Sequence, residues 1–299
     1  MDKTMDSPLT LRSAALLVTL ATLSICSVPA WAGVTESIGS GDEAWIRRAE
    51  GHQGPRAAAA PIQEAIAAYE TALEAEPENL EARWKLLRAL YFKGEFVVDE
   101  ADARLDLFEQ GREIADLGRQ QIERQYGMTE DSLEMNPQEV ATAIGGDSLA
   151  AEIYFWSSTH WGLWGRYRGK IAAARQGVAT KIRKFAEIVI LLDENIENAG
   201  GHRVLGRLNA EAPKIPLITG WISRDRAISE LRLALEIAPQ DLLTNFFLAE
   251  ALLEFRPQKE EEAMKILHAI VESDPNPSWL VEEIKTIEDA KAVLTDLED

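Results

Sequence analysis

Glu64 to Pro77 reads EAIAAYETALEAEP, and the spacing inside it decides the fold. Ala65, Tyr69 and Ala72 stand at i, i+4 and i+7, and Pro77 follows at i+12. Residues at i, i+4 and i+7 share one face of a helix. Small residues there admit a neighbouring helix closely, and the larger one fills the groove between the two. The proline stops the helix, because it has no amide donor and keeps the residue before it out of the helical region.

The same pattern returns twice. Ala227, Leu231, Ala234 and Pro239 repeat the spacing, as do Ala263, Leu267, Ile270 and Pro275. The last two copies lie 36 residues apart, close to the 34 of a tetratricopeptide repeat. After Pro77 comes an amphipathic stretch from Asn79 to Tyr91. After Pro239 comes another, from Asp241 to Phe255. Each reads as the partner helix of a hairpin. Such hairpins bury their apolar faces against one another, and the array curves.

The rest of the chain also reads as helix. A short one is expected over Gly41 to Glu50, and a Gly/Pro/Ala-rich loop from Gly51 to Pro61. A long helix covers Ala101 to Tyr126, and a short one Gln138 to Ile144, stopped at Gly145-Gly146. Asp147 caps a helix running to about Tyr167. Ile171 to Glu197 reads as one long helix ended by Gly200-Gly201. His202 to Glu211 follows, then a structured loop from Ala212 to Ser223 and a final helix from Ser278 to about Leu297. No stretch alternates with period two. The expected fold is all-α, with tetratricopeptide-like hairpins forming a curved α-solenoid of about eleven helices.

Residues 1–32 stand apart. Lys3 and Arg12 precede an uncharged run from Ser13 to Val28, which ends at Pro29-Ala30-Trp31-Ala32 before Gly33. This reads as a secretory signal peptide, leaving residues 33–299 as a single helical domain in an extracytoplasmic compartment. Cys26, the one cysteine of the sequence, lies within this segment. The mature chain then has no disulfide and no thiol nucleophile. The alternative at Cys26 is a lipid-modified end, but bulky Ile25 fits a lipoprotein box poorly. Membrane contact is expected only with a lipidated or uncleaved end.

A formal charge of −19 argues against nucleic acid as the main partner. His52, His160, His202 and His268 are widely separated, and neither a zinc-protease motif nor a P-loop occurs. No enzymatic activity, metal or cofactor is expected.

Two features draw attention. The first is an aromatic helix holding Tyr154, Trp156, His160, Trp161 and Trp164. It reads either as the wall of a ligand site, with indole and phenol groups as polar handles, or as a helix filling the core. The second is a stretch from Ile153 to Ala186 with no acid, carrying Arg166, Arg168, Lys170 and Arg175 among its bases. It reads as a contact for an anion or an acidic partner, or as a solvated face balancing acidic neighbours.

The helix Ala173 to Glu197, the segment Ala199-Gly200-Gly201-His202-Arg203-Val204-Leu205-Gly206-Arg207-Leu208, the Pro213/Pro216/Gly220 loop, Ala227 to Pro239, and Asn245 to Glu250 together resemble the T-component family. These proteins are associated with tripartite ATP-independent periplasmic (TRAP) transporters. The resemblance covers roughly residues 154–275, with the earlier repeat at 64–90. It implies a periplasmic helical protein that partners the transporter's solute-binding subunit, assembles as a ring-like homo-oligomer and holds an apolar or amphiphilic ligand. The competing expectation is a general periplasmic tetratricopeptide scaffold that grips a peptide or protein in its concave groove.

Overall fold

The computed structural model describes residues 30–298. The uncharged run and Cys26 lie outside the described residues. Thirteen α-helices follow one another among the described residues, with no strand. They are α1 (Ala30–Ile46), α2 (Ala59–Ala75), α3 (Leu80–Phe96), α4 (Ala101–Gln125), α5 (Pro137–Ile144), α6 (Ser148–Arg168), α7 (Lys170–Arg175), α8 (Val178–Leu192), α9 (Ile196–Glu211), α10 (Arg224–Ile237), α11 (Leu242–Phe255), α12 (Glu260–Val271) and α13 (Leu280–Glu298).

The repeat positions do what their spacing demands. Ala65, Tyr69, Ala72, Ala227, Leu231, Ala234, Ala263, Leu267 and Ile270 are all buried. α2 and α10 stop two residues before Pro77 and Pro239, where Glu76 and Ala238 leave the helical region. Asn79 and Asp241 then cap α3 and α11 by accepting from the backbone amides of Ala82 and Thr244. A glycine on the preceding helix completes each packing: a Cβ on Gly41 would strike the Tyr69 ring, and one on Gly206 would strike Leu231. Thus α1–α2–α3 and α9–α10–α11 are two versions of one unit.

Several boundaries differ from expectation. α1 begins earlier and ends at Ile46, and α2 already begins at Ala59, with Pro61 in its first turn where a missing amide costs little. The long helix expected from Ile171 is two, because Gly169 and Gly177 adopt positive φ on either side of α7. Gly200-Gly201 ends nothing. It lies inside α9, where Phe155 of α6 and Ile190 of α8 leave no room for a Cβ. Instead the chain turns just before it: Glu197, Asn198 and Ala199 form a left-handed turn with φ of 48°, 57° and 59°.

Three large apolar cores result, with a small fourth of Val34, Ile38, Ala72 and Ala82 between α1, α2 and α3. The largest surrounds α6 and draws on α3, α4, α5, α8 and α9. The second joins α1, α2 and α3. The third holds α10 to α13. α13 belongs to two of them: Ile287, Ala290 and Leu294 lie in the third core, whereas Val281 lies in the second with Ile62, Tyr69 and Phe92. The two ends of the described chain therefore meet.

Candidate functional site

α6 is apolar on every side, with residues Ile153 to Ser158 buried without interruption, so its aromatic content alone does not mark one face. The five sequence-selected residues go to different places. Tyr154 sits against Phe185 of α8, ring centroids 5.9 Å apart. Trp161 and Trp164 meet edge to face at 5.8 Å. The Arg112 guanidinium lies 4.5 Å from each of their centroids, and the Lys181 ammonium 3.7 Å from that of Trp161. Cations from α4 and α8 thus close over these rings.

His160 is fully buried, and its Nε2–H donates to the Leu87 carbonyl at 2.9 Å. That carbonyl can only accept, so Nε2 carries the proton. Burial pushes the ring's pKa down to about 4. The other side of the ring lies directly over Gly111.

Trp156 alone turns toward a different surface. Its ring packs on Tyr91 of α3 with centroids 5.5 Å apart. Tyr91 stands in an inward row with Trp84 and Arg88, at i, i+4 and i+7. Opposite, Glu152 lies one turn before Trp156, and Glu197 projects from the left-handed turn. Trp84, Arg88, Tyr91, Glu152 and Glu197 are all half-buried, so this inner wall still reaches solvent.

A ladder of cations and indoles runs along it. Arg88 stacks between Trp84 at 4.7 Å and Trp45 at 4.0 Å. Arg48 covers Trp45 at 4.2 Å and reaches Trp279 at 5.5 Å. Arg48 is tied to Glu282 by a 2.9 Å ion pair and donates to the Ser278 carbonyl. Arg203 donates to the carbonyls of Glu197 and Asn198 and pairs with Asp241 at 3.5 Å. It thereby clamps the left-handed turn, whose strain is about 1–2 kcal/mol per residue.

Against these satisfied groups, three charges of this wall make no ion pair with a described residue: Arg88, Glu152 and Glu197. Burial lowers the Arg88 pKa and raises that of Glu197. Glu152 is pushed up to about 7 by burial and then by the like charge of Glu197, with Arg88 and the Trp156 indole N–H opposing. Arg88 Nε and Trp84 Nε1 are buried donors that reach no acceptor. Each such orphan costs roughly 1–3 kcal/mol when left unpaired. The wall holds recognition chemistry, namely stacked faces, unfilled donors and titratable carboxylates.

Of these residues only Trp156 was selected from sequence. The signal for the others was the i, i+4, i+7 row of Trp84, Arg88 and Tyr91. It became readable once α3 had a partner on its opposite face.

Arg166, Arg168, Lys170 and Arg175 are all exposed. Arg166 reaches Glu211 at 3.6 Å, and the other three make no ion pair among the described residues. No group of His, Cys, Asp and Glu able to hold a metal ion occurs among the described residues, and no helix there is long and apolar enough to cross a membrane.

The chain matches no model of a known protein family, and no curated protein is similar to it.

Proposed function

We propose that this chain is an extracytoplasmic binding protein of a TRAP-type transport system, one that docks with the solute-binding subunit and holds a small organic molecule on its inner wall. The observation that carries the binding half is the ladder of Trp84, Arg88, Trp45 and Arg48, buried at Trp45 and Arg48 and reaching solvent at Trp84 and Arg88, near unpaired Glu152 and Glu197. A wall meant only for packing would be apolar or fully paired. The transport half is supported by the Gly200-Gly201-x-Arg203-x-Leu205-Gly206 segment. Each of its named residues has a task that the fold requires, from the close approaches of the three glycines to the clamp by Arg203. The exposed, unpaired bases Arg168, Lys170 and Arg175 suit an acidic partner surface.

The test is titration of the purified chain with a TRAP-type solute-binding protein from the same organism, followed by calorimetry. A complex of about micromolar affinity is expected. Reversing Arg168 and Lys170 to Glu should weaken it at least tenfold at low salt, with less effect at high salt. A chain that ignores that protein but binds unrelated peptides would be a general scaffold instead.

A further inference from the structure

The loop between α9 and α10 reads Pro213-Lys214-Ile215-Pro216-Leu217-Ile218, and no acid occurs from Ala212 to Arg224. Its base is sunk into the protein. Thr219 and Ile222 are buried, and Trp221 packs on the largest core with the Arg183 guanidinium 4.4 Å from its ring centroid. Its tip is open: Pro216 and Ile218 are exposed, and Leu217 is fully so. Leu217 also stands at φ 67°, a left-handed conformation that a bulky side chain keeps only where its surroundings impose it. Thr219 imposes it. Its hydroxyl donates to the Pro213 carbonyl and accepts from the Ile215 amide at 2.8 Å, and its own amide donates to the Ile215 carbonyl at 2.9 Å. Leu217 is thus pinned outward on a closed turn that two prolines stiffen. A knob ordered in advance costs little further entropy when a partner covers it.

The same end of the molecule carries free cations. Arg166, at the end of α6, reaches Glu211 at 3.6 Å, and Glu211 is taken up on its other side by Arg207 at 2.5 Å. Glu211 is the last residue of α9, so the loop leaves that helix beside the end of α6, where Arg168 and Lys170 are exposed. Arg168, Lys170 and the loop's own Lys214 make no ion pair among the described residues. We infer that Leu217, flanked by Pro216 and Ile218, is the apolar anchor of a docking surface. It enters an apolar pocket rimmed by acids on a partner protein, the solute-binding subunit. This deepens the partner half of the proposed function and rests on it: the bases steer the approach, and the knob holds the complex. An anionic bilayer suits this end less well, because the −19 charge of the whole chain opposes it and three side chains on a rigid tip bury little apolar area.

The experiment measures association and dissociation of the intact chain with a TRAP-type solute-binding protein from the same organism, at two salt concentrations. Glycine and asparagine both accept a left-handed backbone, so Leu217→Gly and Leu217→Asn should keep the turn, with an unchanged melting temperature as the check. Each should weaken the complex at least about tenfold, chiefly through faster dissociation, with the parent's salt dependence. Leu217→Met, still apolar, should retain most of the affinity. Reversing Arg168 and Lys170 to Glu should instead slow association and alter the salt dependence. If the parent binds and a folded Leu217→Asn binds equally well, the inference falls and the transport reading stands. If the parent ignores the solute-binding protein, both fall. Loss of binding to phosphatidylglycerol vesicles in Leu217→Asn, with the protein titration unchanged, would give the loop to a membrane and overturn the inference. A changed sedimentation of the chain alone, again with the titration unchanged, would give it to a second copy and do the same.

Discussion

His160 is the residue at which sequence and environment diverge most. A lone histidine on an aromatic helix invites a binding role, but this one donates to the Leu87 carbonyl and rests on Gly111. Its pKa in the fold, about 4, lies below the 6.5 of an unburied ring. The neutral form is therefore the folded form. Stability from this group is fully present above about pH 6.5 and is lost as the pH falls through about 4. The loss amounts to about 3 kcal/mol by the lower end of that window. Urea unfolding across pH 7 to 4 should show this acid limb. His160→Gln should flatten it while lowering stability at pH 7, and an acid limb as steep as the parent's would contradict the assignment. None of this was legible from sequence, since the partner carbonyl lies 73 residues away in the chain.

Elements were more legible than contacts. The repeats could be read because a helix maps spacing onto a face, and α2, α10 and α12 bury the positions that the spacing selects. The Asp147 cap of α6, which accepts from the Leu149 and Ala150 amides, was equally local. The left-handed turn before α9 was not. Glu197, Asn198 and Ala199 have no glycine among them, and the clamp by Arg203 helps hold their conformation. Arg203→Met removes two bonds to carbonyls and leaves Asp241 without its cation. A loss of about 2–4 kcal/mol is expected, with hydrogen exchange rising first at residues 197–201. Uniform acceleration throughout α9 would show that the turn stands without its clamp. The inner wall was partly hidden for the same reason. The row of Trp84, Arg88 and Tyr91 is a local pattern, whereas Glu152 and Glu197 join it only through the packing of α6 and α9.

At the scale of the whole molecule, the closing contact matters most. Repeat arrays usually depend only on neighbours, and their parts unfold independently. Here α13 belongs to the third core and also puts Val281 into the second, with Arg48 and Glu282 pairing beside it. Removing one member of this nearly buried pair strands the other. Arg48→Ala should thus cost about 3–5 kcal/mol. Hydrogen exchange should show α1–α3 and α13 losing protection together. Loss confined to α13 would show that the N-terminal unit stands alone.

That contact also sets an order of assembly. The seal joins partners far apart along the chain, with 234 positions separating Arg48 from Glu282. Until it forms, the core of Trp45 and Phe92 lacks the cover that Val281 supplies and is open to wrong contacts. A closure of such long range costs more loop entropy than any hairpin beside it, so it is expected to follow the local pairings in folding.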